Sequence, residues 1–160
     1  MRYLRVGVLN LFLSLLIIGI FYGLFQLDAL WPSMLSVYLV QFALDLFVLG
    51  GTLILWAEYT LIRYAGSSGA PGDPTENLVV SGPYDLTRNP IYIGAILLVF
   101  GVAFYTRSPS TLVFALVLPL VAHLYVCKIE EPHTEARLGE TYREYKQRVP
   151  RWFFRLRKNG

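Results

Sequence analysis

The chain alternates between long apolar stretches and short polar segments. Residues 6–25 form an apolar stretch of 20 residues with one asparagine, long enough as a helix to cross about 30 Å of hydrocarbon. Three more apolar stretches follow, of which the third in the chain is short at 16 residues; they cover residues 34–64, 91–106 and 111–129. The pattern therefore predicts about four transmembrane helices.

The polar segment between the second and third stretches, residues 65–90, is the longest. Its first half is rich in Gly, Ser and Pro, which argues against regular helix or strand. A loop of more than about 20 residues in a compact protein is usually functional or disordered. We favour a functional loop because it ends in Arg88-Asn89-Pro90, directly before the third apolar stretch.

A different periodicity begins after Pro132. Four apolar or aromatic residues recur there at helical spacing, with charged residues between them: Leu138, Tyr142, Tyr145 and Val149. This spacing is typical of an amphipathic helix that lies on a membrane surface or caps a bundle.

We interpret the chain as one all-α membrane domain with about four transmembrane helices and a C-terminal amphipathic interfacial helix. Its parts are two N-terminal transmembrane helices, a cytoplasmic loop, a helical hairpin, and a C-terminal cytoplasmic helix with a basic tail that completes the active site. These parts cover residues 1–64, 65–90, 91–129 and 130–160.

Composition and charge support a multi-pass membrane protein. Hydrophobic residues make up 55% of the chain and charged residues 16%, against roughly 25% charged residues in ordinary soluble domains. Nine of the 14 Lys and Arg residues lie from Lys128 onward, which by the positive-inside rule predicts that both termini are cytoplasmic. A basic tail on anionic headgroups explains the pI near 9.1, and no nucleic-acid-reading motif accompanies the charge. We therefore expect a lipid bilayer, and no nucleic acid, as a partner.

The Arg88-Asn89-Pro90 turn has the features of an anion site. Proline stiffens the turn, disfavours helical dihedrals at Asn89 and suits the first turn of the third helix. The free N–H groups of that helix terminus and the guanidinium of Arg88 would together favour a carboxylate. Tyr92 and Gly94 lie in the first turns, where a glycine permits a flat ligand to approach closely. The alternative is a snorkelling arginine at an ordinary helix start.

Two adjacent carboxylates, Glu130 and Glu131, follow the fourth stretch. At the end of a membrane helix they are costly unless they are solvated or paired. His123, Cys127 and Glu130 share one helix face, which suits either a cleft lined by His123 and Glu130 or a histidine satisfied within the bundle. His123 and His133 are ten residues apart and there is one cysteine, so we expect no metal site.

Asp45 is an acidic residue within the second apolar stretch. Gln41 lies one helical turn before it. Ionisable residues inside membrane helices are functional candidates by default, but an ion pathway usually contains more of them. We interpret Asp45 as a structural hydrogen-bond partner.

Residues 78–151 resemble the isoprenylcysteine carboxyl methyltransferase and phospholipid methyltransferase families of integral membrane enzymes. The resemblance rests on the order and spacing of a series of short motifs, none of which is specific alone. They are Gly82-Pro83-Tyr84, Arg88-Asn89-Pro90, Tyr92, Gly94, Glu130-Glu131-Pro132, Leu138-Gly139, Tyr142, Tyr145 and Val149-Pro150-Arg151-Trp152.

This resemblance implies S-adenosylmethionine as the cofactor and a lipophilic substrate that is admitted from the bilayer. It implies catalytic roles for Arg88, Glu131 and Arg151. Asn89 stands where the eukaryotic carboxyl methyltransferases have a histidine, so the resemblance supports methyl transfer more than prenylcysteine specificity. The residues implied to hold the cofactor at the cytoplasmic face are Arg88, Asn89, Pro90, Tyr92, Gly94, His123, Glu130 and Glu131.

The predicted reaction is methyl transfer to a prenylcysteine-like carboxylate or to a lipid amine. A carboxylate would react with a sulfonium donor in a water-poor site without a base, a protein nucleophile or a metal. An amine must lose a proton, for which Glu130, Glu131 and His123 are candidate bases. The alternatives are a binding or scaffold protein of the same fold with an idle site, and, with less support, a membrane reductase or a transporter. The sequence leaves the methyl acceptor and the oligomeric state open.

Overall fold

A computed structural model describes residues 39–65 and 78–152, together with six single positions between residues 16 and 26. The first predicted membrane helix, residues 6–25, lies almost entirely outside the described residues, as does the tail after residue 152. All the regular structure of the described residues is helical, and they contain no strand.

Five α-helices make up most of the described chain. They are α1 (Leu39–Ala65), α2 (Pro90–Thr106), α3 (Pro109–Tyr125), α4 (Glu131–Leu138) and α5 (Glu140–Arg148). A 3₁₀ turn (Gly82–Asp85) precedes α2, and a π-helical turn (Val126–Glu130) joins α3 to α4.

Two helical segments of the described chain are long and apolar enough to cross a membrane, namely Val40–Tyr64 in α1 and the continuous run Pro109–Leu138. They correspond to the second and fourth predicted stretches. The third stretch forms α2, which has 17 residues and is therefore about 26 Å long at 1.5 Å per residue. It is shorter than the hydrocarbon core of a typical bilayer.

Helices α1 and α2 pack closely because glycines lie at their contact. A Cβ atom on Gly50 would lie 2.7 Å from the carbonyl oxygen of Gly94, and a Cβ atom on Gly94 would lie 2.6 Å from Ile54 Cγ1. Small residues at a contact between membrane helices let the two backbones approach. The structure thus accounts for Gly94 by helix packing, since the side of Gly94 that lacks a side chain faces α1.

Asp45 lies on an exposed face of α1. Gln41 Nε2 donates a hydrogen bond to Asp45 Oδ1 over 3.3 Å. The two polar side chains one turn apart therefore satisfy part of each other's hydrogen-bonding capacity.

The end of the fourth stretch differs from the prediction. The sequence predicts that this helix ends at Ile129, whereas the helix continues through the π-helical turn Val126–Glu130 into α4. The backbone N–H of Glu131 donates to the carbonyl oxygen of Val126, five residues earlier. This wider turn accommodates Pro132, which has no N–H to donate and would crowd the carbonyl of Lys128 in a regular α-helix. Glu130 and Glu131 consequently sit on a continuous helix rather than at a helix end.

Gly139 divides the segment after Glu131 into the two short helices α4 and α5. Its φ of +59° is a conformation that glycine adopts without steric cost. The residues predicted to form one apolar face pack together around α5 as a small cluster of Leu78, Leu138, Tyr142, Tyr145 and Val149. This packing brings the start of the strap described next close to the turn before α2.

Candidate active site

The turn before α2 is bound to the C-terminal strap, which we define as residues 149–152. The backbone N–H of Arg88 donates to the carbonyl oxygen of Pro150 over 2.9 Å. Thr87 Oγ1 and Asn89 Nδ2 both donate to the carbonyl oxygen of Arg151, over 2.9 Å and 3.0 Å. Thr87 is completely buried and Asn89 nearly so. The turn and the strap, more than 60 residues apart in sequence, therefore form one unit.

Glu131 lies among three cationic side chains. Arg151 Nε and Nη2 donate to the two carboxylate oxygens of Glu131, each over 2.8 Å. Arg88 Nη1 lies 3.0 Å from Glu131 Oε1, and Lys146 Nζ lies 4.0 Å from Oε2. Only 6% of the Glu131 side chain is exposed, so its charge is balanced by these cations rather than by water.

Arg88 has unused hydrogen-bonding capacity. Its side chain is 8% exposed, and its Nε and Nη1 atoms have no hydrogen-bond acceptor among the described residues. Nη1 is close to Glu131 Oε1 but is not aligned to donate to it. Buried donors without an acceptor cost free energy, and an anionic ligand at this position would supply one.

Glu130 has aromatic rather than cationic neighbours. Tyr92 Oη donates to Glu130 Oε2 over 2.5 Å. The rings of Tyr92 and Trp152 meet edge to face, with centroids 6.4 Å apart. Trp152 Nε1 in turn donates to His123 Nδ1 over 2.9 Å, which requires that His123 carry its proton on Nε2 or none at Nδ1. The structure thus gathers Tyr92, His123 and Glu130 with Trp152.

Two openings flank the strap. A polar cleft of about 530 Å³ lies between α4, α5 and the strap, within the usual size range of small-molecule sites. It is lined by Cys127, Glu131, Pro132, Glu135, Ala136, Arg143, Lys146 and Arg151. An apolar groove of about 430 Å³ lies between α2 and α3 and is lined by Ile93, Ile96, Leu97, Pro119, Leu120, His123 and Trp152. The strap therefore separates a polar space from an apolar one.

Two tyrosines of α5 support this arrangement from below the cleft. Burial raises the pKa of Tyr145, so the hydroxyl stays protonated and donates to the carbonyl oxygen of Tyr84 over 2.7 Å. Burial, with the charge of Glu131 added, raises the pKa of Tyr142 to about 12. Both tyrosines are consequently neutral at physiological pH and act as packing and hydrogen-bonding groups.

The predicted site residues fall into three places. Arg88, Glu131 and Arg151 come together around one carboxylate. Pro90 is buried as the first residue of α2, and Gly94 faces α1. Sequence reasoning did not identify Thr87 or Lys146 as site residues, because a threonine before an arginine and a lysine among surface charges carry no signal of their own. In the described part of the chain, no group of three or more His, Cys, Asp or Glu side chains is arranged to hold a metal ion.

Comparisons with known proteins agree with this organisation. The model of the family described as phospholipid methyltransferase matches residues 38–141. The cobalt-zinc-cadmium resistance protein CzcN of Cupriavidus metallidurans is 28% identical over 153 residues, and the nickel-cobalt-cadmium resistance protein NccN of Alcaligenes xylosoxydans is 26% identical over 157 residues. These alignments cover 95% of this chain but 64% and 65% of the relatives, so the chain spans just under two thirds of their length. No solved structure matches the chain. With about two thirds of its residues within the matched range, the chain belongs to the phospholipid methyltransferase family of membrane methyltransferases.

Proposed function

We propose that this protein transfers a methyl group from S-adenosylmethionine to a lipophilic substrate at the cytoplasmic face of a membrane. The observation that carries the proposal is Arg88, a buried guanidinium whose Nε and Nη1 atoms have no acceptor among the described residues. The carboxylate of the cofactor has the charge and the two oxygens that such a fork binds.

Glu130 is the second group that fits the cofactor. Its carboxylate accepts a hydrogen bond from Tyr92 and has no ion pair within the described ranges. A carboxylate without a cation suits either the amino group or the sulfonium of S-adenosylmethionine, both of which are positive. Glu131 is less suited to that contact, because Arg151 occupies both of its oxygens. When bound, the cofactor supplies an activated methyl group on a sulfonium.

The chain's own residues would bind, orient and exclude water. The buried strap and the ring of Trp152 close the site on one side, and a water-poor site favours the merging of a sulfonium with an anionic acceptor. An amine acceptor would also need a base, and Glu130 is the carboxylate in the site whose charge the described arginines do not neutralise. A carboxylate acceptor needs no base.

The apolar groove between α2 and α3 supports a lipophilic acceptor. Its walls are aliphatic, and its polar end is formed by His123 and Trp152. A hydrocarbon chain in the groove would place its headgroup beside Tyr92 and Glu130. The basic residues of the cleft and tail, such as Lys146, favour the cytoplasmic face by the positive-inside rule.

The two relatives are named for resistance to cobalt, nickel, zinc and cadmium. If this chain serves a similar process, modification of a membrane-soluble molecule is the route that its site supports. An idle protein of the same fold is the competing function, and it predicts cofactor binding at most, without transfer.

Isothermal titration of the purified protein in nanodiscs with S-adenosylhomocysteine tests the proposal. We expect saturable binding by the unchanged protein, and at least about tenfold weaker binding by Arg88→Lys, which keeps the charge but loses the fork. Arg143→Lys is the matched control, because Arg143 lies on α5 with 56% of its side chain exposed. Absence of binding by the unchanged protein would refute the proposal. Transfer of a labelled methyl group into total membrane lipids then separates an enzyme from an idle protein and identifies the acceptor.

A further inference from the structure

Two arginines approach Glu131, but they use it differently. Arg151 donates two aligned hydrogen bonds to the Glu131 carboxylate. Arg88 lies as close, at 3.0 Å, yet its Nε and Nη1 donate to no described residue. Glu131 is therefore committed to Arg151, and the unused donors of Arg88 follow from that commitment.

The consequence of losing Arg151 can be derived from the same geometry. A carboxylate with 6% exposure cannot turn to water, so without Arg151 it would reorient toward the remaining buried cation. Paired to Glu131 through its fork, Arg88 would have fewer donors for a ligand. The position of Arg151 thus controls whether Arg88 is available.

The position of Arg151 is set through its backbone. Thr87 Oγ1 and Asn89 Nδ2 converge on the Arg151 carbonyl oxygen, and both residues are buried. The two donors flank Arg88 in sequence, so one turn fixes both guanidinium groups relative to Glu131. The amide of Asn89 is engaged by the strap rather than turned to an open cavity.

We propose that Thr87 and Asn89 are positioning residues, whose hydrogen bonds to the Arg151 carbonyl oxygen hold Arg151 on Glu131 and so keep Arg88 free for an anionic ligand. This inference rests on the proposed function, because it takes the anion to be the cofactor's carboxylate. It gives Asn89 a role that differs from direct cofactor contact.

The first test measures the strap without any ligand. Asn89→Asp removes the donor at constant shape and faces a carbonyl oxygen with a carboxylate, and Thr87→Val removes the hydroxyl at constant shape. In hydrogen–deuterium exchange of the full chain in nanodiscs, both variants should exchange the amides of residues 149–152 about tenfold faster. Thr87→Ser keeps the hydroxyl and should restore slow exchange. Thr106→Val, which removes a hydroxyl bonded to the Val102 carbonyl at the far end of α2, should leave the strap unchanged.

The second test asks whether Asn89 acts through Arg151. Asn89→Asp should weaken binding of S-adenosylhomocysteine about tenfold, and the same change in an Arg151→Ala background should add little, because the interaction it disturbs is already absent. An undiminished loss in that background would mean that Asn89 contacts the ligand itself, and would overturn the inference. Exchange of residues 149–152 that is the same in the unchanged protein, Asn89→Asp and Thr87→Val would overturn it as well.

The two proposals fail separately. If the unchanged protein does not bind S-adenosylhomocysteine, the proposed function is refuted, while the exchange rates of the ligand-free protein still decide whether Thr87 and Asn89 hold the strap. Should Thr87→Val fold poorly, Asn89→Asp carries the same comparison alone, since Asn89 lies at the edge of the buried region with 7% exposure.

Discussion

The two halves of the site, built on neighbouring glutamates, have opposite surroundings. On the cationic side, Glu131 is 6% exposed and faces Arg88, Arg151 and Lys146. On the aromatic side, Glu130 accepts a hydrogen bond from Tyr92, and no described residue forms an ion pair with it. One carboxylate is consumed by the protein, and the other retains capacity for a positive ligand.

This difference separates structure from chemistry within a single dipeptide. A buried charge held by arginines is costly to disturb and offers nothing to a substrate. A partly buried carboxylate with a hydroxyl donor costs less and can still accept a proton or hold a cation. We therefore expect the effects of mutation to fall on folding at Glu131 and on activity at Glu130.

The largest expected effect is that of Glu131→Gln. It leaves two guanidinium groups facing each other without a buried counter-charge, and breaking a buried pair in this way costs about 3–5 kcal/mol of stability. Thermal unfolding in detergent measures it. Glu130→Gln is the matched neighbour, and it should change stability little because its amide oxygen can still accept from Tyr92, while methyl transfer falls. Equal destabilisation by the two variants would break the comparison.

Tyr92→Phe should have the next largest effect. It removes the hydroxyl that donates to Glu130 at constant ring shape, and hydrogen bonds to charged groups contribute about 1.5–3 kcal/mol. Thermal unfolding gives the stability change, and labelled methyl transfer gives the change in rate. A variant that matched the unchanged protein in both measurements would mean that Glu130 takes its support from another group.

Trp152→Phe should have a smaller effect. The phenyl ring keeps the edge-to-face contact with Tyr92, whereas the hydrogen bond to His123 is lost, at about 0.5–1.5 kcal/mol. The melting temperature should fall by a few degrees at most. A loss as large as that of Glu131→Gln would show that the aromatic side, and not the cationic side, holds the strap in place.

Arg143→Gln should have the smallest effect. Arg143 pairs with Glu135 and Glu140 on the outer surface of the cleft, with 56% of its side chain exposed. Exposed ion pairs of this kind contribute little because water and salt screen them. We expect no measurable shift in melting temperature at physiological salt, and a clear shift would place this pair within the cationic side.

Local signals predicted much of the fold. Apolar runs of suitable length located α1, α2 and α3, and the turn chemistry of Arg88-Asn89-Pro90 located the start of α2. The expectation that this turn and the two glutamates meet followed from the length of the hairpin between them. The ion pair between Arg88 and Glu131 has that arrangement in the structure.

The contacts that sequence reasoning did not find are those without a local pattern. The bonds from Thr87 and Asn89 to Arg151 join residues 64 and 62 positions apart, and the bond from Trp152 to His123 spans 29. Such contacts depend on the packing of α5 against the body of the protein, which hydrophobic periodicity does not specify. The continuation of α3 beyond Ile129 was missed because a proline usually marks a helix boundary, and the π-helical turn removes the clash that makes it so.

The π-helical turn also ties the site to the length of the chain. Successive residues of an α-helix are offset by about 100° around the axis, so the surplus residue within Val126–Glu130 sets the azimuth of everything after it. Deleting one residue from this turn would return the helix to regular winding and swing the Glu131 side chain about a quarter of a circle away from its arginines. A relative whose alignment carries a one-residue gap here would need a different residue to stand in the place of Glu131, whatever its overall identity to this chain.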